Sequence, residues 1–139
     1  MYLDYDQACA AIRSYLEANF TALPITWGND NFDPAASGPN GWVYVRIALT
    51  HGEQVAMCQI GQGLFRDHGA CHVWVYVPRG SKVGLAESTA TAIRKLFADQ
   101  PIDGIIFGQR AIGAGGVDGA NGMWWGVPVA INWWADRVE

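Results

Sequence analysis

Charged side chains are scarce in this chain: Asp, Glu, Lys and Arg make up 16% of its 139 residues, against ~25% in ordinary soluble domains. Only nine residues are basic, they are scattered, and the net charge is −4. A nucleic-acid grip needs clustered Lys and Arg to neutralise phosphates, so that class is excluded. Long apolar runs are missing too, and nothing approaches the ~18 residues of a bilayer span. The opening Met1-Tyr2-Leu3-Asp4-Tyr5-Asp6 has neither the basic region nor the apolar core of a signal peptide. The expectation is a protein without membrane contact. Cysteine is limited to Cys9, Cys58 and Cys71. An odd number set in apolar pattern reads as buried free thiols from a reducing cytoplasm, not as a disulfide framework.

Catalytic and cofactor motifs are equally lacking. Ser37, Ser81 and Ser88 stand in no Gly-x-Ser-x-Gly elbow, and there is no Gly-Lys-Ser/Thr phosphate loop. Gly113-Ala114-Gly115-Gly116-Val117-Asp118 puts Asp where the dinucleotide fingerprint needs its third Gly or Ala, and it opens no helix. His68, Cys71 and His72 are close in sequence, but adjacent strand residues point to opposite sides and further ligands at usable spacing are missing. Asp30 and Asp33 lie in a loop with no apolar surroundings to raise a carboxyl pKa. The expectation is therefore no enzyme, no cofactor and no metal.

What is present is apolar and aromatic: half of the residues are hydrophobic and seven are Trp. Residues 42–49 and 72–77 alternate with a period of two, which sends alternate side chains to opposite sides of a strand. One face is aliphatic, with Val43, Val45, Ile47, Leu49, Val73, Val75 and Val77. The other carries Trp42, Tyr44 and Arg46, then His72, Trp74 and Tyr76. A half-solvated sheet shows polar residues on its second face; an aromatic one signals contact with a sister subunit or partner. A Trp-rich platform stacking on sugar rings is the alternative from a different class. Interface is favoured, since aromatics are enriched at protein interfaces and carry large burial at low entropy cost.

Along the chain, residues 4–22 read as a helix with an Asp4/Gln7 capping box. Short strands follow at residues 25–27 and 42–49, then at 55–60 after a turn at His51-Gly52-Glu53. Residues 64–68 read as a connecting loop and 69–77 as a long strand. A second helix spans 83–98, with a stripe of Leu85, Ala86, Thr89, Ala90, Ile93, Leu96 and Phe97. Strands at 102–112 and 123–134 flank a mobile Gly-rich loop, 113–122. Pro128 cannot donate to a ladder, so its strand is expected at a sheet edge or with a bulge. The order gives one α+β domain over residues 1–139: a mixed, mainly antiparallel sheet with two helices packed on one face.

The segment Ile25-Thr26-Trp27-Gly28-Asn29, a loop ending in Pro39, and the strand Trp42-Val43-Tyr44-Val45-Arg46 resemble the opening of the phage tail terminator family, minor tail proteins of long non-contractile tails. The likeness continues through Gly61, Arg66, Gly69 and Val77-Pro78-Arg79-Gly80 to Gly84, covering about residues 20–97 with the opening helix by position. It implies a virion protein at the head-proximal end of the tail. Such proteins form a homo-hexameric ring that caps the tube of major tail tube protein, stops its polymerisation and presents a surface to a head-completion or connector protein. DNA then passes through an acidic lumen without sticking. Another head–tail neck protein is the alternative within the same class. Ring closure needs two different patches in contact. The candidates are the aromatic face (Trp42, Tyr44, Arg46, His72, Trp74, Tyr76) and the strand bearing Pro128. Asp30, Asp33, Arg66, Asp67 and Asp118 are the candidate loop residues for docking to tube or connector, with Arg66 suited to pairing with a partner's carboxylate.

Overall fold

The computed structural model describes residues 1–34, 40–52, 54–55, 63–80, 83–118 and 122–139. Helix α1 spans Tyr5–Asn19, and its capping box forms: the Asp4 N–H donates to the Gln7 side chain at 2.9 Å. Its buried stripe is Ala8, Cys9, Ile12 and Leu16. Strand β1 (Ile25–Thr26) follows, then β2 (Trp42–Leu49), β3 (Gln54–Val55) and β4 (Leu64–Pro78). Helix α2 spans Val83–Leu96, and the chain finishes with β5 (Ile105–Ile112), β6 (Gly116–Asp118) and β7 (Trp124–Val138). The strands form one sheet in the order β1-β2-β4-β7-β5, with β3 also on β4 and β6 also on β7. Among the described residues only β1 and β2 run parallel; the other pairs are antiparallel. The α+β class and the mixed, mainly antiparallel sheet are as the sequence indicates.

Both helices cover the aliphatic face. Val43, Val45, Val73, Val75 and Val77 meet Val127, Val129, Ile131 and Trp133 across the sheet, under Ile12 and Leu16 of α1 and Ala86, Ala90 and Ile93 of α2. Each fully buried aliphatic side chain contributes about 1.5–3 kcal/mol relative to exposure. The helices are tied together by Tyr15, whose hydroxyl donates to the Leu96 carbonyl and whose ring meets Phe97 edge-on at 5.6 Å. Arg110 reaches from β5 to donate to the Arg94 carbonyl at 2.7 Å, satisfying an acceptor in the last turn of α2. Cys9 and Cys71 are free and buried, as expected, while Cys58 lies outside the described residues. Burial pushes the Cys71 thiol up to about 12, so it stays neutral and unreactive.

Several expected boundaries change. Residues 64–68 are not a loop: β4 is continuous from Leu64, because Leu64 to His68 pair with Val138 to Trp134 of β7. The strand expected from 102 starts at Ile105, after a turn in which Gly104 has φ +86°. The last strand extends past 134 to Val138. The Gly-rich stretch is more than a mobile loop, since Gly116–Asp118 pairs with β7. Of the strand expected at 55–60, Gln54–Val55 is seen and the remainder falls outside the described residues. Leu85, placed in the α2 stripe, is exposed.

Pro128 is not on an edge strand, because β7 lies between β4 and β5. Its carbonyl accepts from the Gly113 N–H at 2.8 Å, so its nitrogen faces the same side. Pairing on that side breaks between Ile112 and Gly116. The missing donor therefore falls at a gap in the ladder.

Close approach of the Trp133 indole requires glycine at 69, where a Cβ would lie 2.4 Å from the ring and 2.8 Å from the Ala48 carbonyl. Gly69→Ala is expected to destabilise the chain by about 1–3 kcal/mol, the usual cost of overpacking, in urea unfolding.

Candidate functional site

Among the described residues no helix lies over the second face of the sheet, and its side chains form an aromatic ladder. Register fixes the rungs: Trp42 opposite Tyr76, Tyr44 opposite Trp74 and Arg46 opposite His72. On the β7 side, Trp74 lies opposite Pro128 and Tyr76 opposite Gly126. Trp42 stacks on Tyr76 with ring centroids 4.4 Å apart and meets Trp124 edge-on at 6.0 Å. Phe32 closes on Trp42 from the β1–β2 connection at 5.2 Å. Next along, Tyr44 stacks on Trp74 at 5.6 Å and Trp74 on His72 at 5.8 Å. Trp134 and His68 continue the ladder toward the far end at 6.2 Å.

The ladder is graded in exposure. Trp42, Tyr44, Trp74 and Pro128 are half-buried, and Arg46 and His72 are exposed. Tyr76 is the exception, at 7% exposure. Its ring rests where a Cβ on Gly126 would come within 2.7 Å, so glycine opposite it makes the seat. Tyr76 is thus removed from the candidate contact residues and becomes the anchor of the row. The other five ladder candidates and Pro128 share one accessible surface.

The candidate docking residues do not form a group. Asp30 accepts from the Thr26 hydroxyl at 2.6 Å and from the Trp27 N–H at 3.2 Å, and these bonds hold its carboxyl below the ordinary range. It shapes the turn after β1. Asp33 is exposed near Phe32, and Asp118 sits on β6 opposite Trp124. Arg66 and Asp67 are not loop residues but neighbours on β4.

Both are committed within the chain. Arg66 makes a two-pronged bond to Asp136, directly opposite on β7, at 2.7 and 3.0 Å. On the helix side of the same ladder, Arg137 donates to Asp67 at 3.0 Å, spreads over the Phe65 ring at 4.9 Å and pairs with Glu139. Arg66 is therefore not reserved for a partner's carboxylate. The sequence held a signal for this: Arg66-Asp67 and Asp136-Arg137 are mirror images, which antiparallel pairing converts into two opposite-charge contacts, one on each face.

A family model described as phage tail terminator protein matches residues 7–133. A solved structure, whose own name states no function, superposes with a TM-score of 0.67 at 20% identity and covers 96% of both chains. That likeness speaks to the fold. No curated protein matches. Among the described residues no group of three or more His, Cys, Asp or Glu is placed to hold a metal, and no helix is long and apolar enough to cross a membrane.

The Asp67 side chain is 5% exposed and that of Arg137 11%. Removing one partner leaves the other charge buried. Arg137→Met is expected to cost about 3–5 kcal/mol in chemical unfolding, while adding Asp67→Leu to it restores much of the loss. Asp136 behaves differently. The Arg66 hydrogen bonds hold its carboxyl below the ordinary range. Its contribution is complete above about pH 4 and is lost as pH falls through the lowered value. Arg66→Met is expected to cost about 1 kcal/mol or less at neutral pH, because the pair is partly solvated. That difference should vanish in unfolding measured on the acid side.

Proposed function

The chain belongs to the phage tail terminator family, and we propose that it caps the finished tail tube as a homo-hexameric ring whose opposite surface receives the head. As a member of that family it is a phage tail structural protein and a component of the virion. The observation that supports the ring is the aromatic face, over which no helix lies among the described residues. Two helices complete the core on one side of the sheet, while Trp42, Tyr44 and Trp74 on the other are half-buried, and Phe32 and Gly28 of the β1–β2 connection rest against Trp42 and Tyr44.

A closed ring needs a heterologous contact, one patch of a subunit against a different patch of the next. The row from Trp42 through Tyr44, Trp74 and Pro128, rimmed by Arg46 and His72, serves as the first patch. Its composition fits an interface core, with aromatics central and charge at the margin. Since β7 is interior, Pro128 extends this patch instead of supplying the second. The net charge of −4 keeps a ring lumen from holding DNA by phosphate contacts as the genome passes. The ring's two ends would meet the major tail tube protein and a head-completion or connector protein. Loops that order on docking suit those ends.

The reading is tested on purified chain, alone and with tail tubes, by light scattering and electron microscopy. Six-membered rings, at high protein concentration or on tube ends, and shortened tubes when the chain is added during polymerisation are expected. A monomer at every concentration that leaves tube length unchanged overturns the proposal, and retention of that monomer on a polysaccharide column supports the glycan alternative. Trp74→Ala should abolish rings while leaving the monomer folded. A loss of about 3–5 kcal/mol in monomer stability would instead identify Trp74 as core.

A further inference from the structure

The sheet is unfinished along one edge as well as on one face. β1 pairs only with Val43 and Tyr44, yet β2 runs on to Leu49. Among the described residues no strand lies along that remaining length. The Val43 N–H donates toward β1, to the Pro24 carbonyl at 2.9 Å. Strand alternation then turns the polar groups of Ile47 and Leu49 to the same open side. Ile47 confirms it, because its carbonyl already accepts from the Tyr5 hydroxyl at 3.1 Å. A side chain occupies one position that a strand donor would fill.

A cavity of about 520 Å³ opens on this edge, between the first turns of α1 and the β2 backbone, with Trp27 and Tyr44 among its walls. A groove between a helix and an open strand edge is shaped for an extended peptide that adds to the sheet. Its charge is selective. Its lining holds two basic residues, Arg13 and Arg46, and one acid, Asp6, while the carboxylates of Glu17 and Asp30 behind the Trp27 wall accept from its indole and backbone N–H. Arg13 is held over the Trp27 ring at 5.6 Å, and Arg46 is exposed. The positive end of α1, which starts at Tyr5, lies at the same place. In a chain of net charge −4 the basic side chains and the helix terminus converge on the lining itself. We propose that the slot between α1 and the β2 edge binds an extended acidic segment of a partner protein as an added strand. The proposal rests on the edge and its charge; because Tyr44 and Arg46 also border the proposed ring patch, it is tested at concentrations where light scattering shows a monomer.

The test uses the full chain and a soluble peptide of alternating Val and Glu, with the Val–Lys peptide and an N-methylated Val–Glu peptide as controls. Amide exchange and Trp fluorescence are the readouts. The Val–Glu peptide is expected to slow exchange at Ile47 and Leu49 by about tenfold or more, whereas the Lys peptide and the N-methylated one, which cannot pair, do not. Arg46→Glu, a surface change, should reverse the preference between Glu and Lys peptides. Equal binding of all three peptides, or unchanged exchange at saturating Val–Glu peptide, overturns the proposal. So does protection of Ile47 and Leu49 that grows with protein concentration and no peptide, since a second copy then fills the edge.

Discussion

The β4–β7 ladder is the constraint from which the rest follows. Fifteen residues of each strand pair without a shift, from Leu64 opposite Val138 to Pro78 opposite Trp124. In a strand, a one-residue slip exchanges the two faces. Such a slip here would turn Val73 and Val75 outward and bring Trp74 and His72 under the helices. It would also separate Arg66 from Asp136. Apolar burial, the opposite-charge pairs and the Gly126 seat beneath Tyr76 therefore all select the same register, and the agreement is what specifies one fold.

That ladder also explains where the sequence was readable. The faces of β2 and β4 were legible because period-two alternation of Val against aromatic residues needs no tertiary information. Helix α1 was legible from its stripe and the Asp4/Gln7 box. The first five residues of β4 were not: Leu64-Phe65-Arg66-Asp67-His68 is charged and looks like a turn until Asp136 and Arg137 are placed opposite. β6 was hidden for a related reason, since Gly-rich sequence has low intrinsic strand preference and pairs only because β7 offers a partner. Of the two placements expected for Pro128, the edge fails because β7 is interior, while the ladder it faces is irregular between Ile112 and Gly116.

The candidate surface was half legible. Composition marked the aromatic face, but it did not separate Tyr76 from Trp42, Tyr44 and Trp74. That distinction depends on the small residue opposite: Gly126 lets the Tyr76 ring settle onto the sheet, whereas Pro128 opposite Trp74 does not. Small residues across a ladder thus decide which aromatics serve the fold and which remain available. The loop placement of Arg66 and Asp67 was misread because each was judged in its own segment, while their partners stand about seventy residues later in the chain.

The two faces divide the work. Val43, Val45, Val73 and Val75 are already sealed by the helices, so the hydrophobic driving force for folding is concentrated on one side. The ladder on the other side is held in place by stacking between its own members and anchored at Tyr76. Stacked, half-buried Trp and Tyr have already lost much of their rotamer freedom, so covering them later carries a reduced entropy cost. A face organised in this way can stand open in a folded subunit and still be preformed for contact. In the proposed ring, folding and association draw on different side chains, so that a substitution on the ladder changes one without the other.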